Sequence, residues 1–430
     1  MRGLRIGLVI VAAVMLSFGF GGMAYAFHSG GVAECGGCHS MHSPSPQGTF
    51  LLTMSDSSST CLDCHSGPTL SSYHIFTNPL PAAGSPPVNF TPGGDFTWLL
   101  KTYTDTIRGS AFTELGQTHG HNVIAIDFGL TVDTDFATSP GGTYPSSQLA
   151  CASCHDPHGK YRRIGGDTKY TIVTSGAPIM GSGSYNNSKV PTDTQAVGVY
   201  RLLAGKGYQR AGAPAYPGVP VASAPSTYNQ SEATNQVRVA YGQSNSNGSL
   251  INGGRTSWGE WCATCHTSMH SKGNYVHPVD KPIGGTIAGI YNSYINSSNT
   301  VGGAAATSYL SLVPFMESTD DYAVLKSHAS NTNAYLNGPA SNDRVSCLSC
   351  HRAHASGFVD ALRWQMEGEF ITYADSSGNP VWPGTDTTPN QPQFARGRTS
   401  IETQAAYYNR PATLFGAYQR VLCNKCHAQD

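Results

Sequence analysis

Charged side chains are scarce in this 430-residue chain: Asp, Glu, Lys and Arg make up 12% of it and leave a formal net charge of −1. No Lys/Arg-rich run stands out, which removes the electrostatic footprint of a nucleic-acid binder. Beyond Phe20 there is no long apolar run, so no membrane-spanning helix is expected. Sustained apolar periods of 3.6 or 2.0 residues are also rare, which argues against ordinary layered domains. Disorder fits no better, because the low charge comes with 22 tyrosines. A chain with so few periodic elements and so little charge must bury something other than itself.

What is present begins with an address. Met1-Arg2-Gly3-Leu4-Arg5 precedes an apolar run from Ile6 to Phe20 and small residues ending Ala24-Tyr25-Ala26. Residues 1–26 read as a signal peptide cleaved before Phe27, the apolar run being shorter than the roughly 18–20 residues a span needs. Phe27 is not a cysteine, so no lipid anchor is expected there. Residues 27–430 then read as a single exported domain.

All twelve cysteines fall into one pattern, C-x-x-C-H: Cys35/Cys38/His39, Cys61/Cys64/His65, Cys151/Cys154/His155, Cys262/Cys265/His266, Cys347/Cys350/His351 and Cys423/Cys426/His427. Disulfides or zinc could use paired cysteines, but neither needs a histidine directly after the second. With histidine at about 4% of residues, six such histidines arise by chance on the order of one time in a billion. The pattern is that of covalent haem attachment, in which two thiols add across the haem vinyl groups and the following histidine becomes an axial ligand. Six haems c supply the apolar bulk that the sequence lacks. The expected fold is a multihaem cytochrome c, mostly irregular loops and short helices wrapped around haems, with very little sheet.

Function turns on the other face of each iron. Of sixteen histidines, six follow the motifs, leaving His28, His42, His74, His119, His121, His158, His270, His277, His328 and His354. Ten candidates for six positions allow every iron to be bis-histidine without methionine. His42, His158 and His354 sit three residues after a proximal histidine and point the same way as it does on a helical turn, so each must reach a different haem. His28, His74, His121, His277 and His328 lie between motifs, on loops able to fold over a haem. His270 and His119 have stronger candidates beside them and read as spares. Iron ligated on both faces has no open position and suits outer-sphere electron transfer. Trp261, Tyr161 and Tyr418 read as packing residues.

First-cysteine intervals of 26, 90, 111, 85 and 76 residues give no fixed period. Turn-rich segments such as Pro92-Gly93-Gly94-Asp95 and Pro140-Gly141-Gly142 fill the intervals. Short helices are expected at Glu260–Ser271, Thr286–Asn296, Ala304–Leu312 and Ile401–Asn409, the last running on towards Phe415–Cys426. Ser244 to Gly259 reads as an exposed loop.

The strings FHSGGVAECGGCHSMH, PGGTYPSSQLACASCHDPHGKYRR, APSTYNQSEATNQVRVAYGQ, CLSCHRAHASGF and YQRVLCNKCHAQD, with others between them, resemble the cytochrome nanowire family. These are hexahaem outer-surface c-type cytochromes of metal-reducing bacteria that polymerise into filaments. The resemblance runs from Phe27 to Asp430, with a shorter Cys38–Cys61 interval and an apparent insertion at Ser244–Gly259. It implies six bis-histidine haems in a continuous chain and head-to-tail assembly into a homopolymer. It also implies that His42 completes the iron at Cys347/Cys350/His351 of the adjacent subunit. The implied role is extracellular electron transfer to acceptors such as metal oxides or partner cells, after export through the periplasm, in exchange with other redox cytochromes. The alternatives are a monomeric periplasmic shuttle and a multihaem reductase of nitrite, hydroxylamine or sulfur oxyanions. A reductase needs a five-coordinate iron, and the chain has no C-x-x-C-K variant and a surplus of histidine.

Overall fold

The computed structural model describes residues 35–427 apart from 47–48, 69–73, 158–161, 165–170, 174–195, 199–202, 205–207, 211, 217–220, 224–237, 246–254, 271–276, 311, 331, 333 and 389–390. The signal peptide, His28, His158 and Tyr161 lie outside the described residues, as do the side chains of Cys35 and His270.

Long irregular connections join short helices, and the sheet is confined to scraps of two or three strands. The longest pairing is the hairpin Tyr103–Ile107 with Ser110–Glu114. Several helices begin on a local device. The Asp56 carboxylate accepts the Ser58 and Ser59 amides ahead of Ser57–His65. Ser257 and Glu260 form a capping box on Trp258–Cys262, and Thr399 and Glu402 one on Ser400–Ala406. Among the described residues no helix is long and apolar enough to cross a membrane.

Helix ends depart from the sequence expectation where turns intervene. The segment expected at Glu260–Ser271 is the helix Trp258–Cys262 followed by a 3-10 turn, Thr267–His270. Thr286–Asn296 becomes Gly284–Ser293, and only Ala305–Thr307, a 3-10 turn, forms within Ala304–Leu312. Ile401–Asn409 becomes Ser400–Ala406, because Tyr408 and Asn409 adopt left-handed backbone at φ 57° and 58°. Of Phe415–Cys426 only the end is helical, at Asn424–His427. Ser244–Gly259 is not simply a loop: Ser244–Asn245 pairs antiparallel with Arg255–Thr256, and Trp258 is buried.

One core cluster joins distant parts of the chain, with Leu62, Phe76, Trp98 and Leu130 packed with Tyr291, Phe358, Trp382 and Phe415. A second gathers Leu203, Tyr216, Trp258, Trp261, Met316 and Leu348. Both clusters are rimmed by motif cysteines, Cys350, Cys423 and Cys426 on the first and Cys154 and Cys262 on the second. Trp261 packs as expected, whereas Tyr418 is 48% exposed. The apolar walls face the attachment thiols, where a porphyrin adds its own apolar area.

Candidate metal centres

Each motif is presented on a helical turn, which sets the two cysteines at i and i+3 on one side. Cys61 and Cys64 end the helix Ser57–His65, and Cys151–Cys154 and Cys347–Cys350 are four-residue helices of their own. The last two are built alike: the Ala150 amide donates to Ser153 Oγ at 3.0 Å, and the Ser346 amide to Ser349 Oγ at 3.1 Å. The thiols link the motifs in chain order. Cys38 lies near Cys64, Cys61 is hydrogen-bonded to Cys151, and Cys154 lies near Cys265. Cys262 is hydrogen-bonded to Cys347, and Cys350 lies near Cys423 and Cys426. The six attachment points therefore follow one another in space as in sequence.

Three pairs of imidazoles face each other across gaps of one size. Ring centres lie 6.0 Å apart for His121 and His266, 6.5 Å for His155 and His354, and 6.2 Å for His277 and His427. Two metal–imidazole bonds of about 2 Å, plus about 1 Å from each nitrogen to its ring centre, span about 6 Å. These residues therefore fit an iron ligated on both faces. The tautomers fit as well. His121 Nδ1 meets the Ala353 carbonyl at 2.8 Å and His266 Nδ1 the Pro140 carbonyl at 2.9 Å. His39 Nδ1 meets the Phe50 carbonyl at 2.9 Å and His351 Nδ1 that of Asp360 at 2.7 Å. A carbonyl only accepts, so Nδ1 carries the proton and Nε2 keeps its lone pair for a metal. Desolvation and the neighbouring His266 hold His121 at a pKa of about 4, and desolvation lowers His351, so both rings are neutral at pH 7.

The same test separates histidines with other duties. His119 is fully buried with both ring nitrogens engaged, Nδ1 on the Trp98 carbonyl at 2.9 Å and Nε2 on Glu114 at 2.8 Å. It is a structural residue, in line with its low standing in the sequence. His328 Nδ1 pairs with Glu317 at 2.7 Å, and its ring stacks on Tyr335. The His74 ring lies where a Cβ on Gly67 would come within 2.0 Å of it, and His354 is cradled likewise by Gly93. His42 is exposed.

A repeat absent from the motif spacing appears in the backbone. His39, His155 and His351 each form an antiparallel bridge with a leucine, Leu52, Leu203 and Leu362. The residue after that leucine, Thr53, Ala204 or Arg363, donates to the carbonyl of the second cysteine, Cys38, Cys154 or Cys350, at 2.8–3.0 Å. In the first and fifth motifs the preceding pair, Phe50-Leu51 and Asp360-Ala361, is left-handed at φ 54–59°. These three motifs, the first, third and fifth, are the ones with a second histidine three residues on. A second element also recurs: the Val123 amide donates to the His121 carbonyl and Ile124 to Leu149, and Val279 to His277 and Asp280 to Val345. Leu149 and Val345 each stand two residues before a motif. Among the described residues alternate motifs thus share one local architecture, in keeping with the absence of a fixed period, because unequal loops separate them.

The chain is 48% identical, over the full length of both proteins, to the C-type cytochrome OmcS of Geobacter sulfurreducens. The chain belongs to the OmcS family of c-type cytochromes. Two solved structures, the OmcS nanowires and the Outer Membrane Cytochrome S filament of the same organism, superpose on it with TM-scores of 0.83 and 0.84. Each is 48% identical to it and covers 94% of this chain and all of the other. No family model matches. As an OmcS-family cytochrome the protein is an electron carrier with covalently bound haem c, and its loop-dominated fold is that of the filament cytochromes.

Proposed function

We propose that the protein carries electrons through six bis-histidine haems c and polymerises head-to-tail into a filament leading from the cell to external acceptors such as metal oxides or partner cells. The facing histidine pairs at 6.0–6.5 Å carry this reading. Haem iron exchanges single electrons between its ferric and ferrous forms without bonding a substrate when both faces are ligated. The chain holds the twelve cysteines as thioether anchors, orients the imidazoles through their Nδ1 protons and keeps water from the porphyrin faces with its aromatic clusters.

The paired architecture supports a full ligand set. His354, in the fifth motif, faces His155 of the third; by the same step His158 of the third serves His39 of the first. His121, ahead of the third motif, faces His266 of the fourth, and His277, ahead of the fifth, faces His427 of the sixth. By that step His28, ahead of the first motif, serves His65 of the second. His42 then has no haem two motifs back in its own chain and serves His351 of the adjacent subunit. His74, His328, His119 and His270 are left over. The relatives' filaments support secretion to the cell surface, and other cytochromes are the expected donors.

Cryo-electron microscopy of protein recovered from the cell surface tests this, together with haem counting and low-temperature electron paramagnetic resonance. A helical polymer with six low-spin haems per chain is expected. Discrete particles with every iron ligated from within one chain would leave a soluble shuttle instead.

A further inference from the structure

We propose that two aspartates set reduction potentials along the haem row: Asp56 where the second motif meets the third, and Asp280 where the fourth meets the fifth. The inference rests on the six-haem reading above and adds two residues that bind no iron but weight its two oxidation states.

The two contacts are alike. Cys61 is hydrogen-bonded to Cys151, and Cys262 to Cys347. A carboxylate lies near both thiols in each case, Asp56 in the first and Asp280 in the second. The chain brings it there by two routes. Asp56 stands five residues before Cys61 and caps its helix, accepting the Ser58 and Ser59 amides at 2.8 Å. The Ser58 hydroxyl accepts the Cys151 amide at 3.1 Å, which ties the third motif to the same turn. Five residues before Cys262 the cap is Ser257, which has no charge of its own. Its hydroxyl donates to Asp280, 23 residues further along and held in left-handed backbone at φ 67°. The Asp280 amide donates to the Val345 carbonyl at 2.9 Å, two residues before the fifth motif. One place thus receives a negative charge from two unrelated positions in the sequence, although capping the helix there needs only a hydroxyl.

The contact between the fifth and sixth motifs carries the opposite sign. Cys350 lies near Arg363 as well as Cys423 and Cys426, and Cys426 lies near Lys425. Both cations are buried, Arg363 Nε on the Leu348 carbonyl and Lys425 Nζ on the Tyr294 carbonyl, each at 2.6 Å. Where every iron has the same two imidazole ligands, hydrogen bonding, burial and neighbouring charge are left to separate the potentials. An iron that takes up one electron, passing from ferric to ferrous, loses one unit of positive charge, so a nearby anion favours the ferric form. At an effective dielectric of about 20, a unit charge about 10 Å away changes such an equilibrium roughly tenfold. The two aspartates therefore make the haems of the second to fifth motifs harder to reduce, an effect that Arg363 opposes at the fifth.

Asparagine makes the test, because its carbonyl oxygen still accepts the capping or hydroxyl hydrogen bond while the charge is gone. Redox titration of the holoprotein is followed by haem absorbance. Two of six haem equivalents are expected to move to higher potential in Asp56→Asn, two in Asp280→Asn and four in the double variant. The expected shift is about tenfold in the oxidised-to-reduced ratio at a fixed applied potential, about 59 mV for a one-electron couple. Curves that superpose on wild type, whatever happens to the thermal midpoint, would leave the aspartates as caps alone and overturn the inference, as would a shift to lower potential. If one variant fails to mature, the other decides. If both fail, the wild-type curve decides: distinct midpoints are expected, and one midpoint shared by all six haems overturns the inference. Haem count by mass is read on the same samples. Fewer than six haems per wild-type chain sinks the six-haem reading instead, a different result from unshifted potentials.

Discussion

The segment 353–358 and the segment 41–44 start from the same motif and meet opposite fates. The first is threaded through the fold. His354 stacks on Phe96 with ring centres 4.7 Å apart, Ser356 donates to the His119 carbonyl, and Arg398 donates to the Gly357 carbonyl. Behind it Glu114 holds both Arg398 and His119 in a buried cluster. The second segment begins from the same turn and runs out into solvent. One local sequence thus makes a finished joint inside the molecule and an unfinished one at its end. On the proposed filament reading, polymerisation would complete that exposed joint with a second copy of the chain.

The largest expected effect comes from removing the histidine at either joint. His42→Ala is expected to abolish filaments while the monomer keeps its haems. In monomers of both wild type and variant, one ferrous haem in six then binds carbon monoxide, and wild-type filaments bind none. His354→Ala adds an open iron inside, so carbon monoxide binds two haems in six of its monomer and one in six of its filament. Equal carbon monoxide binding by the two variants in every state would break the comparison.

Next is the clamp behind the internal joint. Burial pushes the Glu114 carboxyl up, but Arg398 and His119 overcome it and hold the group at about 2, below its ordinary 4.5. A depressed carboxylate contributes stability that is full above about pH 4.5 and is lost as pH falls towards 2. Acid should therefore loosen the 353–358 joint across that window, measured as hydrogen exchange of the Ser356 and Phe358 amides. Glu114→Gln leaves Arg398 buried without its anion and should cost about 3–5 kcal/mol in denaturant unfolding at pH 7. Exchange at 41–44 should not respond to either change.

A smaller effect is expected at Gly120. A Cβ there would stand 2.3 Å from the His354 carbonyl oxygen and 2.8 Å from the Ala355 side chain. Gly120→Ala should cost about 1–3 kcal/mol. The measurement is the thermal midpoint of the monomer, and an unchanged midpoint would mean that the internal joint is looser than its contacts imply.

Much of this was legible in the residues. Covalent haem attachment requires C-x-x-C-H, so the candidate anchors and proximal histidines stand in the sequence, as do the loop-rich fold and the family. The distal side was only partly legible, since a facing histidine arrives over 145 residues of chain for His121 and His266 and 199 for His155 and His354. His119 illustrates the limit: the sequence marks it only as a spare beside His121, which faces His266, and the Trp98 carbonyl and Glu114 show that His119 is spent on the core. The paired repeat was signalled by the C-H-x-x-H extension on alternate motifs. Intervals from 26 to 111 residues masked it, because hydrogen bonds to backbone carbonyls leave no residue signature.

The smallest expected effect sharpens the contrast most, because it separates folding from assembly. Met41 is 81% exposed and stands where the fifth motif has Ala353, itself exposed. Changing an exposed side chain away from caps and ion pairs moves stability by no more than about 0.5 kcal/mol. Met41→Ser should therefore leave the monomer's unfolding curve in place. If the methionine is covered in the polymer, losing its buried apolar area weakens each joint, at about 25 cal/mol per Å² removed from water, and raises the concentration needed for filaments. Sedimentation across a dilution series measures that threshold. A raised threshold with an unchanged monomer identifies an interface residue, whereas an unchanged threshold places Met41, like Ala353, on the outer side of its joint.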